Sequence, residues 1–188
     1  MRYVGAAVRA FVAIPLPELL REELATYAAE AARDLGARPT PAENLHATVH
    51  FLGAVNDRHA GALAAALAPV CAGFPALTLR VTEAVLAPPG RPRMVWARLE
   101  APDDLADLTR SIAAAAGRLA PDARAPRTGS PHVTLARLRR RPPRGTALPP
   151  LPAAGTEVRV EACALVRSEL GRGGSRYTAI ATLPLATG

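Results

Sequence analysis

The feature that most constrains this chain is a short pattern that occurs twice. Leu45-His46-Ala47-Thr48-Val49 in the first half is echoed by Pro131-His132-Val133-Thr134-Leu135 in the second. The two copies lie a little under half the chain length apart. Each follows a helical stretch and a polar link, so an internal duplication would set them symmetrically in one fold. In a strand, residues i and i+2 share a face. His46 and Thr48 are therefore expected on one face, and so are His132 and Thr134. Val49, Phe51, Val133 and Leu135 are expected on the other, anchoring the strands in a core.

The rest of the pattern alternates strands with helices. Residues 8–14 read as a β-branched strand closed by Pro15 and Pro17. Leu20, Leu24, Tyr27, Ala31 and Leu35 mark an amphipathic helix over 17–35, with Gly36 as its C-cap. A turn-rich link over 39–44 leads into a strand at 45–52. Asn56 and Asp57 offer caps for a second helix reaching about residue 70. Strands follow at 77–86 and 94–99, a third helix at 104–119, and a strand at 132–138. Residues 139–152 form a Pro/Arg-rich loop, and strands at 158–167 and 177–183 close the chain. Mixed strands and helices with hairpin-length links predict an α+β fold with antiparallel sheets, residues 1–188 forming one domain of two related lobes.

Composition excludes several classes. Hydrophobic residues make up 49% of the 188 and charged residues 21%, which suits a packed globule. No apolar run of ~18 residues exists to cross a membrane, and Arg9 breaks the apolar N-terminal stretch, so neither a membrane partner nor a signal peptide is expected. Two cysteines, Cys71 and Cys163, make neither a disulfide framework nor a metal cluster, and inert packing is their expected role. A reduced, cytoplasmic protein and a monomer are expected. The net charge is +7, carried entirely by arginine against 16 acidic residues, and is compatible with an anionic substrate.

Two facing platforms would set two imidazoles and two hydroxyls around one cleft. A neutral imidazole takes a proton from water while an imidazolium gives one to a leaving oxygen, and hydroxyls hold phosphate oxygens. An ordinary histidine pKa of ~6.5 serves both roles near neutrality. Three function classes follow: an acid–base phosphodiesterase, a non-catalytic RNA-binding module, and a metallohydrolase using His46, His50 and His132. The first is favoured, because a pure binder has no need of paired proton-transfer groups. No glycine-rich phosphate loop suggests an ATP requirement, and neither metal nor cofactor is expected. His50 is expected on the face of His46 and Thr48, either at the cleft rim or simply half-buried. Trp96 is expected in the core and His59 on a helix surface. Phe11 either stacks a nucleobase or packs in the core. Arg139, Arg140, Arg141 and Arg144 either guide an RNA backbone or lie in a solvated loop.

These residues carry a resemblance. The stretch from Pro41 through His46 and Thr48 to Gly53, and that from Pro131 through His132 and Thr134 to Arg137, resemble the two signatures of the two-histidine (2H) phosphoesterases. The chain is most similar to the RNA 2′,3′-cyclic phosphodiesterases, also called 2′-5′ RNA ligases. The strand around Phe11, the Arg93-Met94-Val95-Trp96 segment and the closing hairpin near Tyr177 support it. The resemblance implies a bilobal pseudo-two-fold fold, antiparallel sheets lining a central cleft with helices outside. It implies hydrolysis of a 2′,3′-cyclic phosphate, on RNA or a nucleotide, to the 2′-phosphate. His132 would activate water, His46 would protonate the departing 3′ oxygen, and Thr48 and Thr134 would hold the phosphate. Arg137 would lie near the phosphate too, although five residues after His132 a regular strand turns it to the opposite face.

Overall fold

The computed structural model describes residues 7–126, 130–171 and 174–186. Nine strands form one antiparallel sheet: β1 (Ala7–Pro15), β2 (Arg38–Pro39), β3 (His46–Asn56), β4 (Leu77–Ala87), β5 (Met94–Glu100), β6 (His132–Arg137), β7 (Glu157–Val160), β8 (Ala162–Gly171) and β9 (Gly174–Pro184). Among the described residues three α-helices complete it: α1 (Glu18–Asp34), α2 (Ala60–Ala72) and α3 (Asp104–Ala116). The strand order is β7-β4-β5-β6-β3-β1-β8-β9, with β2 beside β6.

The expected duplication is visible as two β-α-β units. β1, α1 and β3 form one; β5, α3 and β6 form the other. In each, the two strands pair antiparallel. Their inner strands meet at the middle of the sheet, where Ala47 lies opposite Val133. Each helix packs on the other unit's strand, α1 against β6 and α3 against β3. One apolar cluster lines the helix side, from Leu24 on α1 through Leu52 and Leu135 to Ile112 on α3. A helix with one apolar stripe needs such a covered face to be stable. Cys71 and Cys163 are free and buried in this core, as expected.

Several boundaries differ from the sequence reading. β3 runs on to Asn56 through Gly53, whose φ of +74° and close approach to the Asp122 carbonyl admit only glycine. The second helix consequently starts at Ala60, after a single 3₁₀ turn. The strand expected over 158–167 is two strands broken at Glu161. β7 pairs with β4 and β8 with β1, so this break carries the chain from one side of the sheet to the other. The turn-rich link also holds the two-residue strand β2, which continues along the edge of β6 where β3 leaves it.

Two bulges decide what faces the cleft. Along β1 the partner register skips Val49 of β3, and along β5 it skips Leu135 of β6. Each bulge follows the threonine of a His-x-Thr segment by one residue. An extra residue in one strand reverses its alternation from that point. Burial follows the reversal: Val49 and His50 are both buried, as are Leu135 and Ala136, and the next residues, Phe51 and Arg137, are exposed.

Candidate active site

His46, Thr48, His132 and Thr134 gather on one face of the two central strands, each partly exposed, while the intervening Ala47 and Val133 are buried. Residues opposite one another in an antiparallel pair share a face. With Ala47 against Val133, His46 falls beside Thr134 and Thr48 beside His132.

Both imidazoles are held alike. His46 Nδ1 lies 2.8 Å from the Asn44 carbonyl, and His132 Nδ1 lies 3.0 Å from that of Ser130. A carbonyl oxygen only accepts, so each Nδ1 carries the hydrogen and donates it. Nε2 is thereby the basic nitrogen of each neutral ring. Ser130 adopts a φ of +48°, a left-handed conformation that costs a non-glycine residue about 1–2 kcal/mol. The strain sits at the residue whose carbonyl holds His132. At His46, the Thr48 hydroxyl lies 3.0 Å from Nε2 and donates to it when the ring is neutral.

Each histidine also rests on an aromatic ring from the neighbouring strand. The Trp96 indole lies parallel to His132, with ring centres 3.7 Å apart and planes inclined 16°. Phe11 stacks on His46 at 4.9 Å, and Tyr177 of β9 meets His46 edge-on at 5.2 Å. Burial lowers the His46 pKa from its ordinary value; the hydrogen bond to Asn44 opposes this, and the neighbouring His132 adds to it. Two cations side by side are unfavourable, so each ring disfavours protonation of the other.

The bulges correct several expectations. His50 is on the core side, 3% exposed, rather than beside His46 and Thr48. Its Nε2 is buried with no partner among the described residues, and burial lowers its pKa. The trio His46, His50 and His132 is therefore not assembled, and among the described residues no three His, Cys, Asp or Glu side chains cluster as metal ligands. Phe51, expected in the core, is 45% exposed on the cleft side, with its ring 6.1 Å from Phe11 and the Arg124 guanidinium 5.8 Å away. Trp96, also expected in the core, is a cleft residue. Phe11 is 4% exposed and spends its ring on His46 and Tyr177, so it has no free face for a nucleobase. Arg137 is exposed on the His132 side of the sheet, its Nη1 3.8 Å from the Met94 sulfur. Met94 and Trp96 lie on the same face of the unbulged β5, opposite Arg137 and Thr134 respectively. Arg139, Arg140 and Arg144 are exposed in the loop beyond β6, and Arg141 reaches the Gly90 carbonyl.

Two related imidazoles, each held through Nδ1 and flanked by hydroxyls and an arginine, are the arrangement the 2H phosphoesterase resemblance implies. Comparison with known proteins agrees. Residues 14–96 match the model of the LigT-like phosphoesterases. The RNA 2′,3′-cyclic phosphodiesterase of Escherichia coli K12 is 32% identical over 177 residues, covering 90% of this chain and 92% of that protein. Among solved structures, TT0787 of Thermus thermophilus superposes with a TM-score of 0.79 at 29% identity, covering 95% of this chain and 98% of that one. Escherichia coli LigT complexed with 3′-AMP gives 0.76 at 28% identity, covering 96% and 99%. The chain belongs to the LigT-like phosphoesterase family. No helix among the described residues is long and apolar enough to cross a membrane.

Proposed function

We propose that this chain is an RNA 2′,3′-cyclic phosphodiesterase that opens the cyclic ester to a 2′-phosphate and a free 3′-hydroxyl. The observation that carries the proposal is the pair of imidazoles on one face, each with Nδ1 donating to a carbonyl, which makes Nε2 the basic nitrogen of each neutral ring. The Escherichia coli relative of that name and the 3′-AMP complex of LigT support both the reaction and a nucleotide ligand.

In the reading the family resemblance supports, His132 Nε2 takes a proton from water as the water oxygen bonds to phosphorus. The bond from phosphorus to O3′ breaks in line, and His46 Nε2 gives its proton to O3′. His132 ends protonated and His46 neutral, and exchange with solvent resets them. An imidazolium of lowered pKa is a good donor, and the anionic phosphate supplies the countercharge that loads it. Thr48 and Thr134 donate hydrogen bonds to phosphate oxygens, and Arg137 offsets the charge that builds there. The exposed ring of Phe51 takes over the base-stacking role considered for Phe11.

The direct test is incubation with nucleoside 2′,3′-cyclic phosphates and assignment of the product by ³¹P NMR. The nucleoside 2′-phosphate is expected. The 3′-phosphate as product, or no turnover, would refute the proposal.

A further inference from the structure

Arg38 is the first residue of β2 and lies directly opposite Arg137, which in turn lies opposite Met94. Arg38 and Arg137 therefore share a face, side by side. Like charges directly opposite in a sheet are unfavourable. Neither arginine pairs with a carboxylate among the described residues. Asp34 and Glu43 flank Arg38 in sequence but form no ion pair with it among the described residues, and the chain around Arg137 and Met94 offers none: residues 84–99 and 123–156 contain no Asp or Glu, while Arg91, Arg93, Arg139 and Arg140 add positive charge. A sheet row that accumulates unpaired cations is stabilised by an anion.

A chain of contacts ties Arg38 to the His46 side of the cleft. The Asn44 carbonyl accepts from His46, and the Asn44 side-chain amide donates to the Ser175 carbonyl at 2.9 Å. Next to Ser175, Gly174 has a φ of +124°, and a Cβ there would collide with Arg38 Nη2. The Arg38 guanidinium thus lies against Gly174 at the start of β9, one residue from the carbonyl that Asn44 holds.

We propose that Arg38 binds the phosphodiester one linkage upstream of the cyclic phosphate, so that the site grips an RNA strand and not only its terminal nucleotide. This rests on the function proposed above, with His46 donating to O3′. In ribose, C3′ adjoins C4′, which carries the 5′-linked phosphate. Placing O3′ at His46 therefore sends the upstream strand past Asn44 and the start of β9, where Arg38 lies. Arg137 then serves the reacting phosphate and Arg38 the next one.

The test compares Arg38→Gln and Arg38→Lys with the unmodified protein on two substrates. One is a nucleoside 2′,3′-cyclic phosphate with no 5′-phosphate, the other a trinucleotide ending in the same cyclic phosphate. The ratio of their kcat/KM values is expected to fall about tenfold in Arg38→Gln, through KM, and to recover in part in Arg38→Lys. In parallel, fluorescence anisotropy reads binding of a labelled oligonucleotide ending in a 2′-phosphate. Removing one contact with a single strand should lower the slope of log affinity against log salt by about 0.7. An unchanged ratio with an unchanged salt slope overturns the proposal, whether the rates fall equally or not at all. An unmodified protein that binds the oligonucleotide through Arg38 but turns over neither substrate would refute the hydrolytic function and leave the phosphodiester contact standing.

Discussion

Phe11 and Phe51 lie opposite one another in the β1–β3 register, their rings 6.1 Å apart, yet they are predicted to fail in different ways. Phe11 is 4% exposed and forms the stack beneath His46. Replacing a buried phenylalanine by alanine costs about 3–5 kcal/mol. The void would lie directly under the imidazole, and a misplacement of about 1 Å at a reacting group can cost ~10²-fold in rate. Phe11→Ala should therefore shift the urea midpoint strongly and lower kcat with little effect on KM. Phe11→Leu should recover most of the stability but not the ring stacking, worth about 0.5–1.5 kcal/mol, so part of the kcat loss should remain. Phe51 is 45% exposed, so Phe51→Ala should lower stability by only about 1–2 kcal/mol. Its effect should fall on nucleotide binding: stacking of a base on an aromatic ring is worth about 1–3 kcal/mol, or ~5- to 150-fold in KM. Urea denaturation and steady-state kinetics on a nucleoside 2′,3′-cyclic phosphate read all three variants. The reasoning is refuted if Phe11→Ala stays as stable as the parent and raises KM alone, which would make Phe11 the base platform.

His46→Ala and His132→Ala should each reduce turnover by ~10²–10⁴ without loss of the circular dichroism of the folded chain. The losses should not add in the double variant, and near-full activity in either single variant would sink the paired mechanism. The pH profile of kcat/KM should be bell-shaped about neutrality, with the limb due to His46 displaced to lower pH because burial and His132 lower its pKa. In kcat that limb should move up, since bound phosphate favours the imidazolium; coincident limbs would contradict this. His46 and His50 both hold protons more weakly folded than unfolded, so their contribution to stability is complete above the unfolded value of ~6.5 and is lost as pH falls below it. Thermal melts across that range should show the decline, and a Tm that rises on acidification would exclude it. With no three-ligand cluster among the described residues, turnover should survive exhaustive EDTA treatment, and abolition reversed by Zn²⁺ or Mn²⁺ would overturn the acid–base reading.

The central strands were legible because the period of two holds through both His-x-Thr segments: polar residues at His46 and Thr48, at His132 and Thr134, with Ala47 and Val133 between. Where the period breaks, the reading broke with it. Counting by twos from His46 puts His50 in the cleft and Phe51 in the core; the bulge at Val49 reverses both. Counting by twos from His132 puts Arg137 on the wrong face; the bulge at Leu135 returns it. A trace of each bulge does exist in the sequence. Leu135 and Ala136 are consecutive apolar residues before an arginine, an arrangement a regular half-exposed strand avoids. The pair Val49-His50 hides the same signal, because histidine reads as polar although here it is a core residue. The Glu161 break was invisible for another reason. Residues 158–167 contain no Gly or Pro to mark a break, and local propensity carries no information about which strand each half will pair with. Trp96 was misread because an aromatic between buried positions looks alike whether it faces core or cleft.

The two bulges also explain how a nearly symmetric site can perform an asymmetric reaction. Two identical His-x-Thr platforms would accept a cyclic phosphate equally well in two orientations, and half of the encounters would set the leaving oxygen at the wrong imidazole. The symmetry is broken at the fifth position after each histidine, the residue each bulge turns into the cleft. In one half that residue is Phe51, an aromatic surface; in the other it is Arg137, a cation standing beside Arg38. A substrate with a planar base at one end and fixed negative charge at the other fits such a cleft one way round. Reversing it would place the charge against Phe51 and the base among arginines, forfeiting both stacking and charge pairing. Exchange of the two residues, Phe51→Arg with Arg137→Phe, should therefore damage turnover more than the loss of either contact alone, because it favours the orientation in which the wrong oxygen meets the proton donor.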